Sequence, residues 1–279
     1  MILVTRFAPS PTGPLHIGHA FAALFAFDAA RAAGGRFLLR IEDIDASRCR
    51  PEFEAAILED LHWLGLRWEE PVRRQSDHFA DYRAALARLE ALGVLYPCFC
   101  TRADIQREIA ASPAAPHGPD GPLYPGTCRH LGTAERQRRT NSGEAYALRL
   151  DVTRAMASVT GPLTFHDDGH GTIVADPAQF GDVVLARKET PASYHLSVTV
   201  DDHLQGVTLV TRGHDLLPAT HVHRLLQALL GHDVPAYRHH RLLLDENGQR
   251  FAKRNRSVTL QSLRESGVTP AEIRRRIGL

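Results

Sequence analysis

Residues 6–19, Arg-Phe-Ala-Pro-Ser-Pro-Thr-Gly-Pro-Leu-His-Ile-Gly-His, constrain the fold of this chain more than any other stretch. The run before them, residues 2–8, is short, apolar and partly β-branched, which suits a buried strand. The run after them, residues 20–33, is rich in alanine and carries Phe21, Leu24, Phe25 and Phe27, which suits a helix facing a core. Pro9, Pro11, Gly13 and Pro14 stop both elements, so a tight strand-to-helix turn is expected. His16-Ile-Gly-His19 then falls in the first helical turn, where unpaired N–H groups and the positive end of the dipole favour an anion. Gly18 lets a flat ring or a phosphate approach the backbone. His16 and His19 can each donate a hydrogen bond to a phosphoryl oxygen.

The text beyond this turn alternates. Residues 36–43 read as a second parallel strand ending in Glu42 and Asp43; residues 51–64 read as an amphipathic helix with Pro51 in its first turn. Residues 76–92 read as another helix, ended by Gly93. Such alternation predicts a doubly wound α/β sheet, whose ligands sit at the carboxyl ends of the strands, and that rule puts Glu42 at the site. The pattern breaks at Tyr96-Pro-Cys-Phe-Cys and stays loose to about residue 187, through a Pro/Gly-rich loop at 112–122 and strands at 146–150 and 163–168. Alternation resumes with residues 183–187 and 194–200, then 206–213 and a helix over 219–230. Four parts are expected: a first catalytic half at 1–96, an inserted module at 97–187, a second catalytic half at 188–237 and a basic helical segment at 238–279.

With 279 residues, 43% hydrophobic and 23% charged, the chain can bury a full core and more than one domain. Its apolar runs are broken by charges well short of a bilayer span, and Met1 leads into a strand, so a cytoplasmic protein is expected with no membrane partner. A net charge of +1 does not mark a nucleic-acid binder. The arginines from Arg241 to Arg276 form a basic C-terminal third, readable equally as a phosphate track or as a solvated helix face. Cys98, Cys100 and Cys128 are three thiols that could begin a tetrahedral structural zinc site, with imidazole from His117 or His130 favoured as the fourth ligand by chemistry alone. Cys49 stands apart and is expected to be a small buried residue.

Residues 6–19 resemble the first signature of class I aminoacyl-tRNA synthetases, in the form used by glutamyl- and glutaminyl-type enzymes. Arg212-Gly-His-Asp-Leu-Leu resembles their Arg-Gly-x-Asp-Leu-Leu segment, and Tyr194 in Ala-Ser-Tyr-His-Leu matches the family tyrosine beside the amino acid. The resemblance implies a Rossmann-like catalytic domain that joins glutamate to ATP as glutamyl-adenylate, with Mg2+ accompanying the ATP. It places His16, Gly18 and His19 on ATP, with His16 and His19 catalytic. Arg6, Phe7, Ala8, Pro9, Ser10 and Glu42 fall on the substrate, Glu42 against its α-ammonium, and Tyr194 and Arg212 on its side-chain carboxylate. Charge agrees with this. Free glutamate carries one ammonium and two carboxylates, and a guanidinium suits a carboxylate better than an amide.

The family's second, Lys-Met-Ser-Lys-Ser-like signature is altered here to Arg250-Phe-Ala-Lys-Arg, with arginine for the first lysine and Ala252 for the serine. The chain has only two lysines, Lys188 and Lys253, so a lysine kept at the motif position points to a specific job. Lys253 is expected to be catalytic on the ATP phosphates, with Arg250 beside it. Tyr-Pro-Gly-Thr-Cys-Arg at 124–129 resembles an element of a short glutamyl-synthetase-like subfamily, which implies Tyr124 as the fourth zinc ligand. With only the residues after 254 left, no anticodon-binding domain is expected, and the resemblance runs to the glutamyl-queuosine tRNA(Asp) synthetase group. Members of that group activate glutamate without tRNA and transfer it to queuosine at the wobble position of tRNA(Asp). A monomer that receives the anticodon loop in its catalytic pocket is expected. Two other readings stay open: a truncated synthetase charging a tRNA 3′ end, and a catalytically silent zinc-containing module that binds RNA.

Overall fold

In the computed structural model the described residues are 2–111, 117–119, 121–187, 190–243 and 258–279. Strand β1 (Val4–Phe7) is buried along its length and pairs in parallel with β2 (Arg36–Ile41), Arg6 lying opposite Leu38. Helix α1 (Ile17–Ala32) makes the crossover, entered through the proline turn as the sequence predicts. Helix α2 (Pro51–Trp63), with Pro51 in its first turn, leads to β3 (Glu69–Arg74), which continues the parallel sheet on the far side of β2. The helix expected over 76–92 begins as a tighter turn at Gln75–His78 and becomes α3 at Phe79–Ala91.

Next come β4 (Leu95–Cys98), α4 (Arg102–Ala111), the short pair β5 (His117–Gly118) and β6 (Gly121–Pro122), α5 (Thr133–Asn141) and β7 (Ala147–Leu150). They are followed by α6 (Val152–Ala157), β8 (Thr164–Asp167), β9 (Gly171–Val174) and β10 (Val184–Arg187). Strand β7 is the centre of an antiparallel sheet, β10-β7-β4. Strands β8 and β9 do not join it. They extend a second sheet, in which β8 runs parallel to β12 (Ala236–His240) and β12 parallel to β11 (Leu209–Gly213). Besides the short β5–β6 pair, the span 97–187 therefore contributes strands to two larger sheets. Buried Phe165 explains the choice, since its ring meets Tyr237 on β12 edge-on at 5.5 Å.

Residues 194–200, β-branched enough to read as strand, belong to helix α7 (Tyr194–Leu204). Ser193 caps it by accepting from Leu196 N, and residues on every face, Leu196 to Asp202, are buried. Such burial overrides a weak strand preference. Helix α8 (Ala219–Leu230) follows β11. The two parallel sheets meet at β1 and β11, where Thr208 N donates to Val4 O at 3.0 Å and Val4 N to Thr208 Oγ1 at 2.8 Å. Chain order reverses at that seam, which is the switch point of a doubly wound sheet.

Helices cover both faces, as a parallel sheet requires. On one, α1 and α2 bury Leu24, Ile57 and Leu61 together with residues of two C-terminal helices, α9 (Leu260–Glu265) and α10 (Pro270–Ile277). On the other, α3, α7 and α8 bury Tyr82, Leu89, Leu196, Val222 and Leu226. The described C-terminal arginines largely serve this docking: Arg274 pairs with Asp28 of α1 at 2.6 Å, and Arg264 with Glu59 of α2. Among the described residues, no helix is long and apolar enough to cross a membrane.

Candidate functional site

Three strand ends converge beside the seam. Arg6 comes from β1, Glu42 follows β2 and Arg212 lies near the end of β11. The proline turn is fixed against them, because Glu42 N donates to Pro9 O and Arg50 N to Pro11 O, each at 3.0 Å. Gly213 directly after Arg212 leaves room for the ends of Asp215 and Leu242, since a Cβ there would lie 2.5 Å from Asp215 Oδ1 and 2.8 Å from Leu242 Cδ2 and those side chains would have to shift. Of the expected substrate residues, Ala8 is half-buried and Ser10 exposed, whereas Pro9 is buried. The Phe7 side chain packs into the core with Leu15 and Ile41, so only its backbone can serve a ligand.

A buried ion network holds Arg6 in place. Its Nε and Nη2 donate to the two oxygens of Asp202 on α7, at 2.9 and 3.3 Å, and its Nη1 donates to Thr211 O at 3.1 Å. Asp202 also receives Arg40 Nη1 at 2.8 Å, while Arg40 Nη2 reaches Glu42 Oε1 at 3.2 Å. Burial alone would push the Asp202 carboxyl up, but Arg6 and Arg40 outweigh it and hold the group below the ordinary carboxylate range. Glu42 goes the other way. Burial lifts its carboxyl, and the pull of Arg40 and Arg6 does not fully offset it. Arg40 and Asp202 were not picked out from the sequence. A charged residue inside the apolar strand Arg-Phe-Leu-Leu-Arg-Ile was the available signal, because such a group must find a buried partner.

Arg212 differs from its neighbours: each of its described hydrogen-bond partners is neutral. Its Nε meets His239 Nε2 at 3.1 Å, Nη1 meets His223 Nδ1 at 3.2 Å and Tyr194 Oη at 3.4 Å, and Nη2 meets Thr220 Oγ1 at 2.5 Å. Burial and then Arg212 itself push His223 well below the usual imidazole range, and His195 behind it to about 4. Burial also raises the Tyr194 phenol, against the pull of Arg212, so the phenol keeps its proton. The result is a buried cation among neutral groups, beside a desolvated carboxyl. Arg212 and Glu42 both act on the buried Tyr194 phenol, so the two opposite charges lie near one side chain, a pattern complementary to a molecule carrying both charges.

At the turn, His16 caps α1: its Nδ1 accepts from Gly18 N and His19 Nδ1 accepts from His16 N, both at 3.1 Å. The two rings stack with centroids 3.7 Å apart. Accepting at Nδ1 puts the proton of each neutral ring on Nε2, the donor a phosphoryl oxygen needs. Leu260 N donates to Leu15 O at 2.9 Å, and Thr259 bridges His16. The chain leaving residues 244–257 thus returns to this turn. Arg250, Ala252 and Lys253, like Lys188, lie outside the described residues.

Cys98, Cys100 and Cys128 bring their sulfurs within 4.8 Å of one another. Tyr124 Oη lies 3.3 Å from Cys98 Sγ and 3.5 Å from Cys100 Sγ, and Cys100 and Cys128 are 3.4 Å apart. Sulfurs around a zinc bonded at about 2.3 Å sit roughly 3.8 Å apart, so this spacing fits a four-ligand metal site. Gly126, at φ 86°, turns the chain between Tyr124 and Cys128. Burial opposes ionisation of Cys98, but hydrogen bonds from Tyr124 and Arg149 hold its thiol lower, whereas burial and the neighbouring sulfurs push Cys100 up to about 12. A cation would relieve that crowding. His130 is exposed and outside the cluster; the side chain of His117 lies outside the described residues. Cys49 is only half-buried, because it follows the exposed 46–48 turn rather than entering the core.

The family model described as tRNA synthetases class I (E and Q), catalytic domain, matches residues 2–279. The Glutamyl-Q tRNA(Asp) synthetase of Rhodobacter capsulatus is 52% identical over 282 residues, covering 99% of this chain and 100% of that protein. The protein of the same name from Symbiobacterium thermophilum is 44% identical over 287 residues, with 98% of this chain and 84% of that one covered. Among solved structures, a glutamate tRNA ligase from Elizabethkingia meningosepticum in complex with its amino acid is similar at a TM-score of 0.76 and 28% identity. That match covers 91% of this chain and 52% of the longer ligase.

Proposed function

Because the chain belongs to the class I tRNA synthetases of the glutamyl and glutaminyl type, a family of ligases, we propose that it activates glutamate with ATP and passes it to queuosine in tRNA(Asp). The observation that carries this reading is the buried Arg212 with neutral partners, on the same Tyr194 phenol that Glu42 acts on. Glu42 takes the α-ammonium, which supplies the counter-charge that burial leaves wanting. Arg212 takes the side-chain carboxylate, and the Tyr194 hydroxyl donates to the same group. Glutamine would turn amide N–H donors toward a guanidinium that only donates, so it binds poorly.

An oxygen of the glutamate α-carboxylate attacks the α-phosphorus of ATP in line. The bond to the pyrophosphate oxygen breaks, and glutamyl-adenylate and pyrophosphate form. No protein nucleophile is needed: the residues position the reactants and stabilise charge. The Nε2 protons of His16 and His19 meet phosphoryl oxygens at the start of α1, Gly18 keeps the backbone open there, and Lys253 with Arg250 takes the leaving pyrophosphate. Mg2+ accompanying the ATP would neutralise charge on its phosphates. In the second step a hydroxyl of the queuosine ring attacks the adenylate carbonyl, an ester forms and AMP leaves. The relatives named for tRNA(Asp) and Q, matched over nearly this whole chain, support that acceptor. Cys98, Cys100, Cys128 and Tyr124 would hold a zinc ion, whose role would be structural rather than catalytic.

Pyrophosphate exchange in the absence of tRNA tests the first step. Glutamate-dependent incorporation of labelled pyrophosphate into ATP is expected, with glutamine giving less than about one hundredth of the rate. No exchange with either amino acid would favour a silent RNA-binding module.

A further inference from the structure

Arg212, His239 and Asp167 stand on three adjacent parallel strands, β11, β12 and β8, with Arg212 and His239 directly opposite in register. The His239 and Asp167 side chains are fully buried, at 0% exposure each, and His239 Nδ1 lies 2.6 Å from Asp167 Oδ2. A guanidinium can only donate, so the His239 nitrogen facing it, Nε2, must accept. The imidazole proton therefore sits on Nδ1 and is given to Asp167. Asp167 is fixed in turn by Gly169 N at 3.0 Å and His170 Nδ1 at 2.7 Å.

We propose that His239, locked by Asp167, is a positioning residue that sets the direction and charge of Arg212 for carboxylate recognition. The proposal rests on the reading that Arg212 binds the glutamate side chain. Pinning Nε fixes the plane of the guanidinium and turns both Nη groups toward Tyr194, His223 and Thr220 at the pocket. Interposing a neutral ring also keeps the Asp167 carboxylate out of contact with the guanidinium. A carboxylate bound directly to Arg212 would supply the counter-ion that the ligand has to bring. Burial, and then Arg212, push His239 to about 4 against the pull of Asp167, so the ring is neutral when the enzyme works at neutral pH. His223, backed by His195 at 3.1 Å, has the same acceptor role on Nη1, so the guanidinium is held from two sides by imidazole nitrogens.

The test uses the full chain, with pyrophosphate exchange measured over ranges of glutamate and of ATP. His239→Ala is expected to raise KM for glutamate roughly ten- to hundredfold while KM for ATP stays within about twofold. His239→Gln offers an acceptor oxygen and a donor N–H at about the spacing of the two ring nitrogens, and should recover most of the loss. Asp167→Asn, the gentler variant if His239→Ala does not fold, should raise the glutamate KM severalfold and leave that for ATP unchanged. An unchanged glutamate KM in these variants, or equal changes for both substrates without rescue by glutamine, overturns the proposal. Arg212→Gln separates the two levels. If it weakens glutamate strongly while the His239 variants do not, the positioning role alone fails; if it has no effect, the pocket assignment itself fails.

Discussion

Asp202 satisfies two arginines at once, and removing its charge would leave Arg6 facing only the Thr211 carbonyl while Arg40 kept Glu42 and, farther off, Asp201. Breaking such a network costs about 3–5 kcal/mol, so Asp202→Asn should lower unfolding stability by about that much near neutral pH. The pH dependence follows from the direction of the shift. Asp202 titrates below its unfolded value, so its contribution is present above about pH 4 and is lost as pH falls through the folded value. Urea unfolding of both proteins across the acid range should show a gap that is widest near pH 7 and closes in acid; a gap that does not change with pH would contradict the assignment. Arg6, Glu42 and Arg212 could be read from the sequence because each falls at the end of an apolar run, where an α/β sheet places its ligands. Arg40 and Asp202 could not be paired by reading alone, since their contact joins β2 to α7 across 162 positions.

At the level of elements, local signals worked where they were strong. Pro51 and the proline turn mark helix starts, and Gly93 marks an end. They failed for α7, whose β-branched residues are helical because both of its faces are buried; they marked β8 as a strand but could not give its partner, since β12 comes long after it in the chain. Cysteine spacing outlined the thiol cluster, but which side chain folds over the sulfurs was not readable. There Tyr124 also accepts from Cys128 N at 2.9 Å, and Arg149 lies 3.8 Å from its ring centroid, where a cation favours anionic ligands. We expect stoichiometric zinc in the purified protein by metal analysis, and loss of most of it in Cys128→Ser. Chelation should lower the thermal midpoint by several degrees, since a structural metal contributes folding free energy. Full metal content in Cys128→Ser would contradict the ligand set; a Cys49→Ser control should keep it.

For the molecule as a whole, the reversal of strand order between β1 and β11 decides where chemistry can occur. It brings the carboxyl ends of β1 and β11 side by side, with the start of α1 following the first and Arg212 near the end of the second. The C-terminal helices close over α1 and α2, and Thr259 ties their start to His16. This arrangement suits activation of a dicarboxylic amino acid. What then receives the acyl group is best read from the product: tRNA(Asp) incubated with the protein, ATP and glutamate, digested to nucleosides and examined by mass spectrometry. The expected result is queuosine heavier by one glutamyl group, formed only when the tRNA carries queuosine. Unmodified queuosine, with glutamate found instead on the terminal adenosine of either tRNA, would contradict it.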